Sequence, residues 1–337
     1  MSSSVVASSP SPAPAALFSM NHELTRSLLR VFADQFPLTA ALERLRDYHI
    51  LNGYVRDELH FLKPQPLEDP HSGRILRAVY NPLRRERHKG GLAVDPPPGF
   101  HSIRGGCFLA PSNILWQQRG RQIPYPRRWD GRDYNFLLQP FPFAPMHFTV
   151  ATDDFVPQDW RQDPAGLHHI VTVMRDMAST LDDGFTVLYN GKGAGSSIDW
   201  LHYHVLLTGS LPIQDAARLG NPWPLPFHRI EGTVESMAAS LQALTAAWQQ
   251  RAGTRATECI AMVREQGQPV CYYIPRDRAK EYAGEQRFAG RVGAYESCGV
   301  FIFEQDEEGR ALEQGRICFQ TLWQILADVC PSTEEYL

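Results

Sequence analysis

Residues 189–204 hold the side chains best suited to chemistry: Tyr189-Asn-Gly-Lys-Gly-Ala-Gly-Ser-Ser-Ile-Asp-Trp-Leu-His-Tyr-His204. Gly191, Gly193 and Gly195 let the backbone approach a ligand closely, and free N–H groups in such a loop form a concavity for anions. Lys192, Ser196 and Ser197 add donors that suit phosphate oxygens. Asn190 can bind phosphate or ribose, or act only as a turn residue after a strand. The spacing is not that of a P-loop. His202 and His204 follow two residues apart. In a strand this sets them on one face with Trp200 and Leu206, while Leu201, Tyr203 and Val205 face a core. A neutral imidazole can attack phosphorus and divide one difficult transfer into two. Its ordinary pKa of ~6.5 leaves it neutral at cytosolic pH. A metal-binding His-x-His pair is the rival chemistry, and it is the weaker reading because no third ligand stands at a telling spacing.

The surrounding pattern supplies the elements that must hold this segment. Strands are expected at 185–190 and 201–207, on either side of the loop. A helix is expected at 164–182, where Ile170, Val173, Met174, Met177 and Leu181 share a face. His168 and His169 lie within it and read as a partly exposed pair. Upstream, helices are expected from Asn21 and over 38–49, with strands at 75–80, 134–139 and 147–152. Downstream, a helix covers 231–252, strands cover 258–264, 269–274 and 299–304, and a helix covers 319–330. Residues 81–133 are rich in Pro, Gly and Arg and read as long irregular backbone. The order of elements is α+β with hairpin-like strand pairs, not the alternation of a doubly wound sheet.

The chain has 337 residues with 33 basic and 37 acidic side chains, a net charge of −4, which argues against a nucleic-acid binder. The charge is uneven. Residues 74–132 carry eleven arginines and Lys89 against Glu86, Asp95 and Asp130, a net of +9. That stretch reads either as a solvated basic face or as a cationic rim for an anionic ligand. The six cysteines form no CxxC pair and read as reduced thiols. Residues 1–20 read as a disordered Ser/Pro/Ala tail and make a poor signal peptide. No apolar run approaches the ~18 residues of a membrane span. These features point to a soluble, cytoplasmic protein.

The segment Gly195–His204 resembles the active-site strand of the histidine-triad superfamily. The likeness is to its transferase branch: diadenosine tetraphosphate phosphorylase (ATP adenylyltransferase), GDP-hexose phosphorylases and galactose-1-phosphate uridylyltransferase. That branch reads roughly N-x-G…G-x-S-x-x-H-x-H-x-Q, with the second histidine as nucleophile. The family's serine-to-nucleophile spacing of five runs here from Ser197 to His202. Trp200 then stands at the family's first histidine and His204 at its glutamine, where the hydrolase branch carries histidine. The alternative register makes His204 the nucleophile and sets Leu206 at the glutamine. Further likenesses lie at Gln139–Thr152 (a P-x-x-P-x-H turn holding His147), Phe155–Asp159 (F-x-x-Q-D, holding Gln158) and Phe185–Gly191. Others are Asn81-Pro-Leu-Arg84, Ile274-Pro-Arg276 and Tyr295-Glu-Ser-Cys-Gly299. Cys107-Phe-Leu-Ala110 stands where relatives often carry C-x-x-C, so a structural zinc is not supported.

The resemblance implies a histidine-triad-like antiparallel sheet with flanking helices, in two related halves at 21–215 and 216–337. It implies nucleotidyl transfer, by phosphorolysis of a nucleoside polyphosphate of the diadenosine tetraphosphate or ATP/ADP type. The alternatives are a GDP-hexose phosphorylase, a nucleotide hydrolase and a nucleotide-binding module without catalysis. His202 and His204 are the catalytic candidates. Asn190, Gly191, Lys192, Gly195, Ser196, Ser197, Arg84, Arg276 and Gln158 are candidates for holding substrate or phosphate, and His147 and Glu296 for supporting them. The partners implied are a nucleotide or nucleotide sugar, with phosphate or a sugar phosphate as acceptor. No cofactor is required and no metal ligand is assigned, which leaves room for a divalent ion carried by the nucleotide and for a homodimer.

Overall fold

The computed structural model describes residues 35–53, 55, 62–89, 109, 123–139, 141–163, 166–196, 198–283 and 288–331. The expected tail at 1–20, the helix expected from Asn21, Cys107, Ala110 and Ser197 lie outside the described residues, as does much of the stretch 81–133.

The strands in chain order are β1 (Gln65–Glu68), β2 (Ile75–Tyr80), β3 (Tyr125–Trp129), β4 (Arg132–Leu138), β5 (Phe148–Thr152), β6 (Phe185–Asn190), β7 (His202–Leu207), β8 (His228–Ile230), β9 (Ala256–Glu265), β10 (Gln268–Asp277) and β11 (Val300–Phe303). The helices are α1 (Leu38–Leu51), α2 (Gly166–Thr180), α3 (Pro212–Leu219), α4 (Val234–Ala252), α5 (Ala294–Ser297), α6 (Asp306–Glu313) and α7 (Phe319–Asp328). The main sheet has eight strands in the order β3-β4-β5-β7-β6-β9-β10-β8, and every neighbouring pair is antiparallel. A second sheet, β1-β2-β11, pairs β2 with β11 in parallel. Among the described residues, the expected strands and helices recur within a few residues. The short elements β1, β3, β8, α3, α5 and α6 were not anticipated, because segments so brief show little periodicity.

One sheet face is closed by helices. Leu167, Ile170, Val173, Met174 and Met177 of α2, and Met237 and Leu241 of α4, pack on Val187, Tyr203, Val205 and Ile260. The Thr233 hydroxyl caps α4 by accepting from the Ser236 amide at 3.3 Å. His169 is buried in this layer rather than partly exposed. Its Nδ1 bonds the Asp130 carboxylate at 2.6 Å and its Nε2 the Tyr134 hydroxyl at 2.5 Å. His168, one residue earlier and about 100° round the helix, is exposed. The other face is covered over β6, β9 and β10 by Leu76, Ala78, Phe301 and Phe303 of the small sheet and by Leu322 and Ile325 of α7. A sheet buried on both faces needs continuous rather than alternating apolar strands, as in the run Cys259–Val263 of β9.

Strands from both sides of residue 215 share the main sheet, joined where Thr186–Asn190 of β6 pairs with Cys259–Val263 of β9. The boundary expected at 215/216 falls inside α3. A buried charge network ties the segment before α2 to this junction. Glu258 is fully buried, and its carboxylate accepts from Arg161 Nη2 at 2.7 Å and from the Trp160 indole at 2.8 Å. Asp159 accepts from Arg161 at 3.2 Å and Arg278 at 2.8 Å. Burial opposes its ionisation, but the two guanidiniums prevail and hold its carboxyl below the usual range.

Replacing Arg161 by Met leaves the Glu258 carboxylate buried with only the Trp160 indole to bond it. We expect a loss of about 3–5 kcal/mol in denaturant unfolding. Adding Glu258→Gln should recover part of it. Equal losses in the single and double variants would show that the two groups are not coupled.

Candidate active site

The site is assembled on the sheet face opposite α2 and α4, at the edge of the layer that covers β6, β9 and β10. Register fixes which side chains share it. Ala151 pairs with His202 and Thr149 with His204, and cross-strand partners project from the same face. His202 and His204 therefore lie side by side on β7, with ring centroids 5.4 Å apart. His147, just before β5, bonds across to His204: its Nε2 lies 3.0 Å from His204 Nδ1. Tyr203, between the two histidines, points into the opposite core.

His202 is buried, with 5% of its surface exposed. Its Nδ1 lies 2.7 Å from the backbone carbonyl of Trp200. A carbonyl can only accept, so Nδ1 carries the proton and Nε2 keeps its lone pair. Burial lowers the His202 pKa below the ordinary 6.5, partly offset by the hydrogen bond to Trp200. The ring is thus neutral at neutral pH, in one tautomer, with Nε2 as its basic atom. Trp200 matters here through its backbone. Its indole packs in a small cluster with Leu137, Ala151 and Leu109. There Nε1 donates to the Thr152 carbonyl at 3.0 Å, and the exposed Phe155 packs edge-on at 5.4 Å.

Aromatic rings extend the site from His147. Phe143 lies over His147 at 4.1 Å between centroids and beside Tyr295 at 5.2 Å. The Arg84 guanidinium sits 4.6 Å from the Phe143 centroid. Arg84 also donates to Glu304 Oε1 at 3.0 Å and to the Phe141 carbonyl at 3.1 Å. Glu296 follows Tyr295 on α5, and burial pushes its carboxyl up to about 7, against the backbone amides of Glu296 and Gly293 that donate to it and the lesser pull of Arg84. Asn190 reaches the same helix: its Oδ1 accepts from the Ala294 amide at 2.6 Å. The structure thus brings His147, His202, His204, Asn190, Arg84 and Glu296 to one neighbourhood.

Other expected residues are placed differently. Arg276 is fully buried and braces the chain behind the site, donating to Val292 O at 2.7 Å, Ser297 Oγ at 2.9 Å and Lys280 O at 3.3 Å. Gln158 is fully buried and bonds the backbones of Asn190 and His202. Lys192 forms a 3.0 Å ion pair with Asp199. Ser196 Oγ donates to Ile198 O at 3.0 Å. The loop amides are also engaged: Gly191 N donates to Glu258 O at 2.8 Å and Gly195 N to the Glu281 carboxylate at 3.1 Å. A Cβ on Gly191 would stand 2.5 Å from Thr257 Oγ1, and one on Gly195 2.6 Å from Gly293 Cα. These glycines admit neighbouring protein rather than an open anion concavity. Glu258, Arg161, Glu281 and Asp199 escaped the sequence reading because each acts through a partner from a distant or looped segment. Only Asp159, adjacent to Gln158, carried a local signal.

The cationic stretch is largely neutralised where it is described. Arg74 pairs with Asp69 at 3.1 Å, Arg84 with Glu304 at 3.0 Å, Arg85 with Asp306 at 2.7 Å and Arg132 with Asp163 at 2.8 Å. Among the described residues, no group of three or more His, Cys, Asp or Glu side chains is placed to hold a metal ion. No helix of the described residues is long and apolar enough to cross a membrane.

A family model described as a domain of unknown function, DUF4922, matches residues 73–206, the stretch from β2 through β7. No curated protein matches the chain. A yeast Ap4A phosphorylase, Apa2, in complex with AMP superposes with a TM-score of 0.57 at 17% identity, covering 86% of this chain and 97% of that one. The two chains share a fold. The same yeast protein in complex with Ap4A gives a TM-score of 0.54 at 15% identity, over 86% of this chain and 98% of that one. A uridylyltransferase is a more distant likeness, with a TM-score of 0.38 at 14% identity over 78% and 98% of the two chains. In the eight-stranded sheet, β7 is the strand that carries His202 and His204.

Gly195 has φ +102, and the group that blocks a Cβ there is backbone, which cannot rotate away. Gly195→Ala should therefore cost about 1–3 kcal/mol through the strained φ alone and displace the Asn190–Ala294 contact. Thermal unfolding measures the first effect. An unchanged melting temperature would mean that the loop packs more loosely than described.

Proposed function

We propose that this chain is a nucleotidyltransferase of the phosphorylase type, acting on a nucleoside polyphosphate such as diadenosine tetraphosphate or ATP through a covalent nucleotidyl-His202. The observation that carries the reading is the state of His202: neutral, buried and held by Trp200 O so that Nε2 offers its lone pair. The likeness of fold to an Ap4A phosphorylase supports it. In the first step Nε2 forms a bond to the α-phosphorus, and the P–O bond to the remaining phosphates breaks. His204, bonded to His147, is the group beside His202 able to donate to the leaving oxygen. In the second step inorganic phosphate attacks the same phosphorus, the P–N bond breaks, and a nucleoside diphosphate leaves with His202 restored. Asn190, through its amide, and Ser197 would steady charge on the phosphoryl oxygens. No redox group is called for, and a divalent ion would enter with the nucleotide.

The nucleotide-sugar alternative draws on a different observation. Glu296, with its carboxyl raised to about 7, shares the site with the Arg84–Glu304 pair. Such groups suit sugar hydroxyls better than further negative charge. Donor panels containing ATP, diadenosine tetraphosphate and a GDP-hexose separate the two readings.

Incubation with α-labelled donor should leave acid-labile, base-stable label on the wild type and none on His202→Ala. Label that survives in His202→Ala and vanishes in His204→Ala would move the nucleophile to His204. A nucleoside diphosphate made on adding phosphate marks a phosphorylase, and a monophosphate made without it marks a hydrolase. Binding without turnover for every donor marks a module without catalysis.

The pH dependence has a defined sign. Only the neutral imidazole attacks, and burial lowers the pKa of His202, so the rate of labelling rises with pH along an acid limb placed below 6.5. A pH–rate profile with its limb at or above 6.5 would contradict the buried, carbonyl-held His202.

A further inference from the structure

The β6–β7 ladder runs from Phe185↔Leu207 to Leu188↔His204 and stops. Continued by two residues, it would set Asn190 opposite His202, with each backbone bonding the other. A side chain stands there instead. The His202 amide donates to Gln158 Oε1 at 2.9 Å. Gln158 Nε2 donates to the Asn190 carbonyl at 2.8 Å and, more weakly, to the His202 carbonyl at 3.3 Å. The carboxamide is thus inserted in series between the two strands, bonding three of the four backbone groups that the missing rung would have joined.

Gln158 is fully buried and fixed from several sides. Its own carbonyl accepts from the Tyr189 hydroxyl. The Val156 carbonyl accepts from the Leu201 amide at 2.7 Å. Asp159 and Trp160 are anchored by Arg278 and Glu258. A direct rung would hold the strands ~4.8 Å apart. An interposed amide with a second hydrogen bond of ~2.9 Å forces them wider at the two residues whose side chains serve the reaction.

We propose that Gln158 is a positioning residue, a side-chain rung that holds the His202 backbone away from Asn190 and so opens between them the gap a phosphoryl group occupies. This rests on the assignment of His202 as nucleophile given above. It places Gln158 behind the reacting atoms rather than on the substrate. A primary carboxamide both donates and accepts in this setting. A carboxylate accepts alone, whereas a protonated carboxylic acid again does both.

The test compares wild type, Gln158→Ala and Gln158→Glu, with α-labelled ATP and inorganic phosphate as the probe. Gln158→Ala should lose about 100-fold in kcat, with KM held within about threefold because no substrate contact is lost. Gln158→Glu should be active at acid pH, where the buried acid is protonated and donates to Asn190 O. It should then lose activity as the acid ionises, giving an alkaline limb that neither wild type nor Gln158→Ala shows. Hydrogen exchange followed by mass spectrometry over residues 200–204 gives a readout independent of activity: exchange should quicken about tenfold in Gln158→Ala, while the rest of the β6–β7 ladder keeps its protection. Unchanged exchange would overturn the side-chain rung. Faster exchange with a rise in KM alone would overturn the positioning role in favour of a substrate contact. If wild type transfers no nucleotide, the catalytic reading falls, and the exchange result by itself decides whether Gln158 holds the His202 backbone.

Discussion

A single hydrogen bond, from His202 Nδ1 to the carbonyl of Trp200, gives the rest of the structure its purpose. A free imidazole exchanges its proton between two nitrogens and titrates near neutrality. Neither property persists at His202. The carbonyl settles the tautomer and burial lowers the pKa, and both require a rigid surround. A net hydrogen bond is worth only about 1 kcal/mol, so it cannot impose that geometry alone. The sheet does. β7 is flanked by β5 and β6, its odd residues are locked into the helix-side core through Tyr203 and Val205, and His202 and His204 on the other face are left to line the site.

The tryptophan that stands where the resemblance sets a first histidine becomes intelligible on the same terms. The contact that matters to His202 is made by backbone, which every residue supplies. The side chain at 200 is then free to do something else, and here it fills the cluster around Leu137 and Ala151. A change that reads in sequence as a lost functional group leaves the orienting interaction in place.

Much of the fold was legible because its long elements are strongly periodic. The spacing of Ile170, Val173, Met174 and Met177 gave a helix, and the alternation from Leu201 to Leu206 assigned the faces of β7 as they are found. The placement of His202 and His204 on one face of β7 was legible for the same reason. Partnership was not. Arg84 and Arg85 counted as free positive charge until Glu304 and Asp306, some 220 residues along the chain, closed on them. Arg276 was read as a phosphate ligand on motif alone, and it spends its guanidinium on Val292, Ser297 and Lys280. Charge composition is a local sum, whereas neutralisation is a property of the folded contacts.

The glycine-rich loop shows how one sequence signal can carry two physical causes. Glycine permits close approach, but the signal is silent about what approaches. At Gly191 it is Thr257 and Glu258 of β9, and at Gly195 it is Gly293. The loop is consequently a packed joint, pressed between β9 and the segment that leads into α5. Asn190 stands at its root, with Oδ1 on Ala294 and its backbone carbonyl on Gln158. The joint therefore locates α5, and with it Tyr295 and Glu296, relative to the histidines of β7. The glycines shape the site by fixing where its far wall stands, which links the segment downstream of β10 to the strand that carries His202.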